Sequence, residues 1–188
     1  MSIRTLVPAL LLALPLVVQA GGSLDISLSN ESVRLEHEAV RMGTGAHITT
    51  GLLYSEREEA YAVSAGFNAV DATLANRELV GGVGFKAFVF DAREINDVGV
   101  AMAVGGFLRW QPDFMNGLGT EANLYYAPSI LSFRDVSAFQ EVIARLTYKI
   151  LPQARLFVGW HDVSAYYGEG TTQTTIDTTF HLGFRMNY

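Results

Sequence analysis

The sharpest candidate for chemistry is a group of two histidines and one carboxylate near the C-terminus: His161, Asp177 and His181. If the chain forms a hairpin that turns at Glu169, His161 pairs directly opposite Asp177 and both face the same side of the sheet. His181 then lies two rungs further along, opposite Phe157. A histidine with a carboxylate partner is a general base, a metal ligand or a hydrogen-bonded interior pair, and this pattern favours the interior pair.

A lipid-cleaving hydrolase would need a serine, a histidine and an acid on one face of the protein. Ser164 follows His161 by three residues, so the two side chains lie on opposite faces of a strand unless a β-bulge intervenes. The run Gly81–Gly84 loosely resembles a phosphate-binding loop, but the strand pattern continues through it and no helix follows. We therefore assign no catalytic, cofactor-binding or metal-binding residue.

The larger candidate set consists of charged residues that recur at alternate positions. The acids on the inward-facing positions are Asp25, Glu36, Glu38, Glu121, Glu141 and Asp177. The bases and histidines on the same positions are Arg34, Lys86, Arg109, Arg145, Lys149, Arg155, His161, His181 and Arg185. The two signs nearly balance, whereas a strongly ion-selective pore lines its constriction with one sign. We expect either a structural, salt-bridged network or the lining of a small water-filled channel.

The element that positions these charges is a strand with period-2 alternation, which is clearest over the final 14 residues, Thr175–Tyr188. Its apolar face includes Phe180, Leu182, Phe184, Met186 and Tyr188. Successive strand residues point to opposite faces, so the other face carries the charge. An outward apolar stripe that ends in an aromatic residue also resembles the C-terminal signal recognised by the barrel assembly machinery of outer membranes.

The same alternation recurs in eight segments from Ile48 onwards, each about as long as a tilted membrane strand. The outward face is nearly free of charge, Asp162 being an exception near a strand end. Lys or Arg on the lipid side at mid-bilayer costs about 2–4 kcal/mol, which explains why a lipid-facing surface carries almost no charge. A soluble β-sandwich would also alternate, but it has no reason to clear that face. The sequence thus predicts an all-β, transmembrane, antiparallel up-and-down β-barrel.

The number of strands is open at the N-terminal end. Val33–Ala39 alternates and predicts a ninth strand, and Leu24–Leu28 predicts a short tenth strand with a turn at Asn30-Glu31. Alternatively, Ser23–Met42 is a lead-in to eight strands. Single-chain bacterial barrels have an even number of strands, so we expect 8 to 10 strands, with ten slightly favoured.

The N-terminal segment, residues 1–20, has the features of a secretory signal peptide. Arg4 precedes an apolar run, Leu6–Val18, and Val18-Gln19-Ala20 is a small-residue cleavage site. The run is shorter than the roughly 20 residues that a spanning helix needs. We expect cleavage after Ala20, export through the periplasm and a mature barrel over residues 21–188 in the outer membrane of a Gram-negative bacterium.

The predicted direction of the last strand assigns each connection to one side of the membrane, because both termini of bacterial barrels face the periplasm. The predicted outer loops are Ser55–Glu59, Asp91–Asp97, Ala127–Ala138 and Tyr167–Thr174. The predicted periplasmic connections are Val70–Glu78, Gln111–Gly117 and Leu151–Ala154. Within the third outer loop, Ile130, Leu131 and Phe133 are unusually apolar. They fold back over the barrel mouth or touch lipopolysaccharide.

One motif carries a family resemblance. The run Tyr125–Phe133, with two shorter runs at Ser27–Leu35 and His181–Arg185, resembles the YfaZ family of outer-membrane proteins. The nine-residue motif is fairly specific, and the shorter runs follow the general pattern of barrel strands. The resemblance implies an outer-membrane barrel without an assigned activity, and it adds no catalytic residues.

Together these patterns predict a structural or narrow-channel, porin-like role with no identifiable catalytic activity. The alternatives are an outer-membrane enzyme that modifies lipid and a binding barrel whose loops contact an envelope partner. The expected partners are outer-membrane lipid, lipopolysaccharide and the barrel assembly machinery, with no cofactor. The formal net charge of −6 argues against nucleic acid. The sequence leaves the oligomeric state open.

Overall fold

A computed structural model describes residues 21–41, 45–70, 78–93, 98–168 and 172–188. The strands are β1 Gly21–Leu28, β2 Ser32–Arg41, β3 Ala46–Ser55, β4 Ala60–Val70, β5 Leu79–Asp91, β6 Gly99–Trp110, β7 Leu118–Ala127, β8 Ser132–Phe133, β9 Val136–Leu151, β10 Ala154–Tyr167 and β11 Thr172–Asn187. The helices Asp113–Met115 and Ser129–Leu131 are single 3-10 turns. Within these ranges, no helix has the length and apolarity needed to cross a membrane. The predicted signal peptide and cleavage site lie outside the described residues.

Ten long strands of the described residues close into one antiparallel ring. Each pairs with its neighbours in sequence, and β7 pairs with β9 across the two-residue β8. The ring closes where β1 pairs with β11, from Ser23 opposite Asn187 to Leu28 opposite Leu182. The predicted ten-strand barrel is confirmed. The alternative of a lead-in over Ser23–Met42 is wrong for its described part, residues 23–41, because β1 and β2 are paired wall strands. Met42 lies outside the described residues.

The two ends of the barrel differ in their connections. Gly21 and Tyr188 lie at one end, here called the terminus end, with the β2–β3, β4–β5, β6–β7 and β9–β10 connections. The opposite end, the loop end, carries the other five. There, Arg57 pairs with Glu31 and so links the first two loop-end connections. The hydrogen bond to that carboxylate, together with its charge, raises the pKa of the Arg57 guanidinium above its ordinary value.

The apolar segment after β7 extends the barrel wall. Phe133 and Ser132 of β8 pair with Val100 and Ala101 of β6, beyond the point where β7 leaves that strand. Leu131 packs against the interior, whereas the Ile130 side chain is 83% exposed. The segment therefore presents an apolar edge at the rim of the loop end.

Burial alternates along the strands, with β4 as the plainest case. Its buried residues are Ala60, Ala62, Ser64, Gly66, Asn68 and Val70, and its exposed residues are Tyr61, Val63, Ala65, Phe67 and Ala69. Large apolar side chains cover the outside of the other strands as well. The outer surface is thus an apolar belt, as a barrel surrounded by lipid requires.

Close strand packing depends on glycines at two positions. A Cβ on Gly84 would lie 1.9 Å from the carbonyl oxygen of Phe67, and a Cβ on Gly105 would lie 2.0 Å from that of Leu124. Any side chain there would push neighbouring backbones apart. These glycines let β4–β5 and β6–β7 bend tightly.

The lumen near the loop end is filled by aromatic side chains. Phe139 lies with its ring centroid 4.4 Å from that of Phe88 and 5.2 Å from that of Phe90. Leu53 and Ile176 are buried in the same cluster. We call Phe88, Phe90 and Phe139 the aromatic layer. It forms the apolar core of the barrel and lies on the loop side of the charged residues.

Candidate functional site: the charged lumen

Four charged side chains from three separated strands meet in the middle of the lumen. Arg34 of β2 donates to Glu141 of β9 at 2.7 Å and to Glu36, on its own strand, at 3.0 Å. Lys86 of β5 lies 2.9 Å from Glu141 and 3.7 Å from Glu36. We call these four residues the central quartet. Two cations share two carboxylates, so no member is left without an opposite charge, as buried ions require.

A second group of four lies towards the terminus end. Arg185 binds Asp25 through two nitrogens, both at 2.7 Å, and binds Glu121 through two more contacts at 2.5 and 3.0 Å. Arg145 donates to the same Asp25 at 2.9 Å. Forked contacts of this kind fix the direction of the guanidinium plane as well as its charge. The second quartet ties β1, β7, β9 and β11 together.

The remaining charges lie nearer the mouth at the terminus end. Glu38 accepts from Arg109 at 2.8 Å and lies 2.7 Å from Nδ1 of His47. Arg155 is half-buried, and Lys149 is exposed. The structure therefore brings most of the predicted inward charges into shared networks and leaves Lys149 and Arg155 outside them.

The two histidines form one hydrogen-bonded chain. Nε2 of His161 lies 2.6 Å from a carboxylate oxygen of Asp177, whose other oxygen accepts from Ser55 at 3.2 Å. Nδ1 of His161 lies 3.1 Å from Nδ1 of His181, and Nε2 of His181 accepts from Arg145 at 3.3 Å.

One pair of tautomers satisfies all of these contacts when both rings are neutral. His161 carries its proton on Nε2 for the carboxylate, and His181 carries its proton on Nδ1. Each ring then donates once and accepts once. We call Arg145, His181, His161, Asp177 and Ser55 the histidine chain, and it joins the second quartet to the loop end.

The predicted pairing of the last hairpin is wrong by two residues. His161 lies opposite Thr179 instead of Asp177, and His181 lies opposite Gly159 instead of Phe157. The β10–β11 hairpin is centred later than Glu169, and a register shift at Val163/Ser164 adds a residue. His161 reaches Asp177 diagonally across the strands, so the predicted contact exists with a different geometry.

The shift at Ser164 does not assemble a catalytic group. Ser164 donates to Asp162 at 3.0 Å, and Gln140 donates to the same carboxylate at 2.7 Å. Neither side chain contacts a histidine, and His161 is bonded to Asp177 in the lumen. In the described part of the chain, no group of three or more His, Cys, Asp or Glu residues could hold a metal ion.

A family model described as "YfaZ precursor" matches residues 3–188. The chain belongs to the YfaZ family. The resemblance carried by Tyr125–Phe133 is thus confirmed, and the family description, like the closed barrel with its apolar belt, fits an exported outer-membrane protein.

Solved structures similar to this YfaZ-family chain include a porin and an outer membrane channel. One is titled KdgM porin in complex with disordered oligogalacturonate: it is 12% identical, with a TM-score of 0.49, over 89% of this chain and 99% of that chain. KdgM porin is 11% identical, with a TM-score of 0.45, over the same shares. The outer membrane channel DcaP of Acinetobacter baumannii is 10% identical, with a TM-score of 0.43, over 87% of this chain and 54% of that chain. No curated protein matches the sequence.

Several lumen residues of this YfaZ-family barrel were missed by the sequence reasoning. His47 was placed on the inward face but not in the charged set, and the Tyr125 hydroxyl donates to Asn68 at 2.7 Å. The alternation placed both His47 and Tyr125 on the inward face, but nothing in the sequence signals their partners. The aromatic layer was also missed. Phe90 and Phe139 lie near strand ends, where aromatic residues are expected to form the outward-facing girdle of a membrane barrel.

Proposed function

We propose that this YfaZ-family barrel is an integral outer-membrane protein of a Gram-negative bacterium with a structural or narrow-channel, porin-like role. In this proposal its own side chains close the lumen. The observation that supports it is that two layers of side chains cross the lumen one after the other. In the aromatic layer the Phe88 and Phe139 ring centroids are 4.4 Å apart, and in the central quartet Lys86 and Glu141 form an ion pair at 2.9 Å. A solute that crossed the barrel would have to part both.

A small cavity of about 10 Å³ is lined by Arg34 and Glu141 of the central quartet, by Phe88 of the aromatic layer, and by Leu53 and Ser64. That volume holds about one water molecule. Hydrated ions are larger, so passage through this region requires the side chains to move.

The pairing of the charges also favours a closed or weakly selective barrel. The central quartet contains two cations and two carboxylates within hydrogen-bonding reach of one another. A selective constriction instead presents one sign of charge to the passing ion. The same pairing supports a non-catalytic role, because the titratable groups are engaged in structural contacts.

We further propose the export route and partners suggested by the sequence. Cleavage after Ala20 would place the new N-terminus at Gly21, where β1 begins. The outward stripe that ends at Met186 and Tyr188 would serve as the signal for the barrel assembly machinery. Ile130 and Phe133, exposed at the rim, would contact the acyl region of lipopolysaccharide.

Single-channel conductance in planar bilayers tests the closed lumen. Wild-type protein should give steps far below those of an open porin, and the Phe88→Ala/Phe139→Ala variant should raise them several-fold. The matched control is Phe67→Ala/Phe85→Ala, which removes an outward-facing aromatic pair whose ring centroids are 6.0 Å apart. Heat-dependent mobility in gels verifies that each variant is folded. Large wild-type steps, or steps unchanged by the interior variant, would overturn the proposal.

A further inference from the structure

One rung of the barrel wall near the terminus end places three cations side by side. The strand register sets Arg155 of β10 opposite Lys149 of β9 on one side and opposite Arg185 of β11 on the other. All three occupy inward-facing positions of their strands. Like charges directly opposite one another destabilise a sheet unless something compensates them.

Among the described residues, only Arg185 of these three cations is paired with carboxylates. Arg185 holds Asp25 and Glu121 in forked contacts. Arg155 and Lys149 make no ion pair with any acid in the described ranges. Glu38, another inward-facing acid towards this end, is already bound by Arg109 and His47. Arg155 and Lys149 are therefore the cations of this rung that are not ion-paired with a carboxylate of the described residues.

An unsatisfied hydrogen-bond donor lies on the same rung. Nε of Arg155 is buried and has no acceptor among the described residues. A buried donor without a partner destabilises the fold, and more so when it is charged. Native proteins rarely leave such groups unsatisfied, so Nε of Arg155 is suited to bind an acceptor oxygen that enters the lumen.

We propose that the terminus end of the lumen binds an oxyanion group, a carboxylate or a phosphate, through Arg155 and Lys149. Such a group supplies both a negative charge beside the two cations and an acceptor for Nε of Arg155. Arg155 offers a planar fork that matches two oxygens, and Lys149 offers a mobile point charge. Because Lys149 is exposed and Arg155 is half-buried, the group enters from water at this mouth. This site does not depend on whether the lumen conducts.

Binding of inorganic phosphate to the folded full-length barrel in a non-ionic detergent tests the site. Calorimetric titration and thermal unfolding would compare phosphate with chloride at equal ionic strength. We expect phosphate to bind wild-type protein and raise its unfolding temperature. The Arg155→Gln and Lys149→Gln variants should each bind at least tenfold more weakly. The matched control is Arg57→Gln, which removes an arginine charge at the loop end and should bind as wild type does.

A further variant and a lipid experiment distinguish the possible sources of the oxyanion. Arg155→Lys should retain part of the affinity, because it keeps the charge and loses the fork. In an alternative outcome, the protein fails to bind free phosphate and unfolds at a higher temperature in phosphatidylglycerol nanodiscs than in phosphatidylcholine nanodiscs. That result would assign the oxyanion to a lipid headgroup. No response to either source, or equal binding by Arg155→Gln and Arg57→Gln, would overturn the proposal. The bilayer conductance of the barrel does not depend on this site. A failure of the oxyanion proposal would therefore leave the proposed function unchanged.

Discussion

The Tyr188 hydroxyl lies 2.5 Å from Nε2 of His37, across the strand that closes the barrel. The two rings are stacked, with centroids 6.2 Å apart and planes 16° apart. Between them lies Gly22 of β1, where a Cβ would sit 2.8 Å from the tyrosine hydroxyl. Backbone bonds of 3.0 Å also join Gly22 and Tyr188 in both directions. The Tyr188 side chain thus reaches over β1 and links the end of β11 to β2.

The first prediction concerns this seam. Tyr188→Phe keeps the ring over Gly22 but removes the bond to His37, so the free energy of unfolding should fall by about 1 kcal/mol. Urea unfolding in detergent or liposomes measures the change. The matched control is Tyr148→Phe, an outward tyrosine that is 51% exposed, and it should have no effect. Equal losses in both variants would show that the hydroxyl contact does not stabilise the seam.

The second prediction compares two glycines of one strand. Gly84→Ala sets a methyl group 1.9 Å from the carbonyl oxygen of Phe67, so β4 and β5 must separate. Gly81→Ala sets it 3.2 Å from a flexible methyl group of Leu108. The Gly84 variant should lose about 1–3 kcal/mol of unfolding free energy or fail to form the heat-modifiable barrel band, whereas the Gly81 variant should fold normally. A normally stable Gly84 variant would contradict the close strand packing.

The third prediction tests the central quartet. Glu141→Ala leaves Arg34 and Lys86 with only Glu36 as an anion, so the unfolding free energy should fall by about 3–5 kcal/mol. Glu59→Ala is the control, because its pair with Arg93 at 2.7 Å is exposed to water and contributes little. A Glu141 variant as stable as the control would mean that the quartet is solvated in the native barrel.

The fourth prediction concerns the histidine chain. His161 and Asp177 are bonded at 2.6 Å inside the barrel, so His161→Ala, Asp177→Ala and the double variant should give non-additive losses. We expect a coupling of about 1–3 kcal/mol in the double-mutant cycle. Additive losses would indicate that the two side chains act independently.

The sequence was sufficient for the fold because the alternation is a local property. A slip of one residue turns the whole apolar face of a strand inward, so the pattern in β11 or β4 identifies its two faces without knowledge of any neighbour. The same rule identified β1 and β2 in Leu24–Leu28 and Val33–Ala39, which made ten strands the better count. The charged residues share one face of the strands, and the opposite, apolar face is nearly free of charge. That arrangement distinguished a membrane barrel from a soluble sandwich.

The contacts inside the lumen could not be predicted in this way. Arg34 and Glu141 are 107 residues apart and meet at 2.7 Å across the barrel, so their contact depends on the stagger of every strand between them. In the last hairpin, a later centre and a one-residue register shift together moved the partner of His161 from Asp177 to Thr179. Alternation indicates that a residue faces inward, but it does not indicate which residue lies opposite.

The closed lumen is the central claim, and cysteine labelling at Ser64 tests it most directly. The chain contains no cysteine, so a single Ser64→Cys substitution reports access to the cavity lined by residues of the central quartet and the aromatic layer. A small membrane-impermeant thiol reagent should leave that variant unmodified in the folded barrel, while Glu56→Cys at the exposed loop end reacts quickly. Adding Phe88→Ala/Phe139→Ala to the Ser64 variant should make it reactive. Rapid labelling of Ser64→Cys in the otherwise unaltered barrel would contradict a closed lumen.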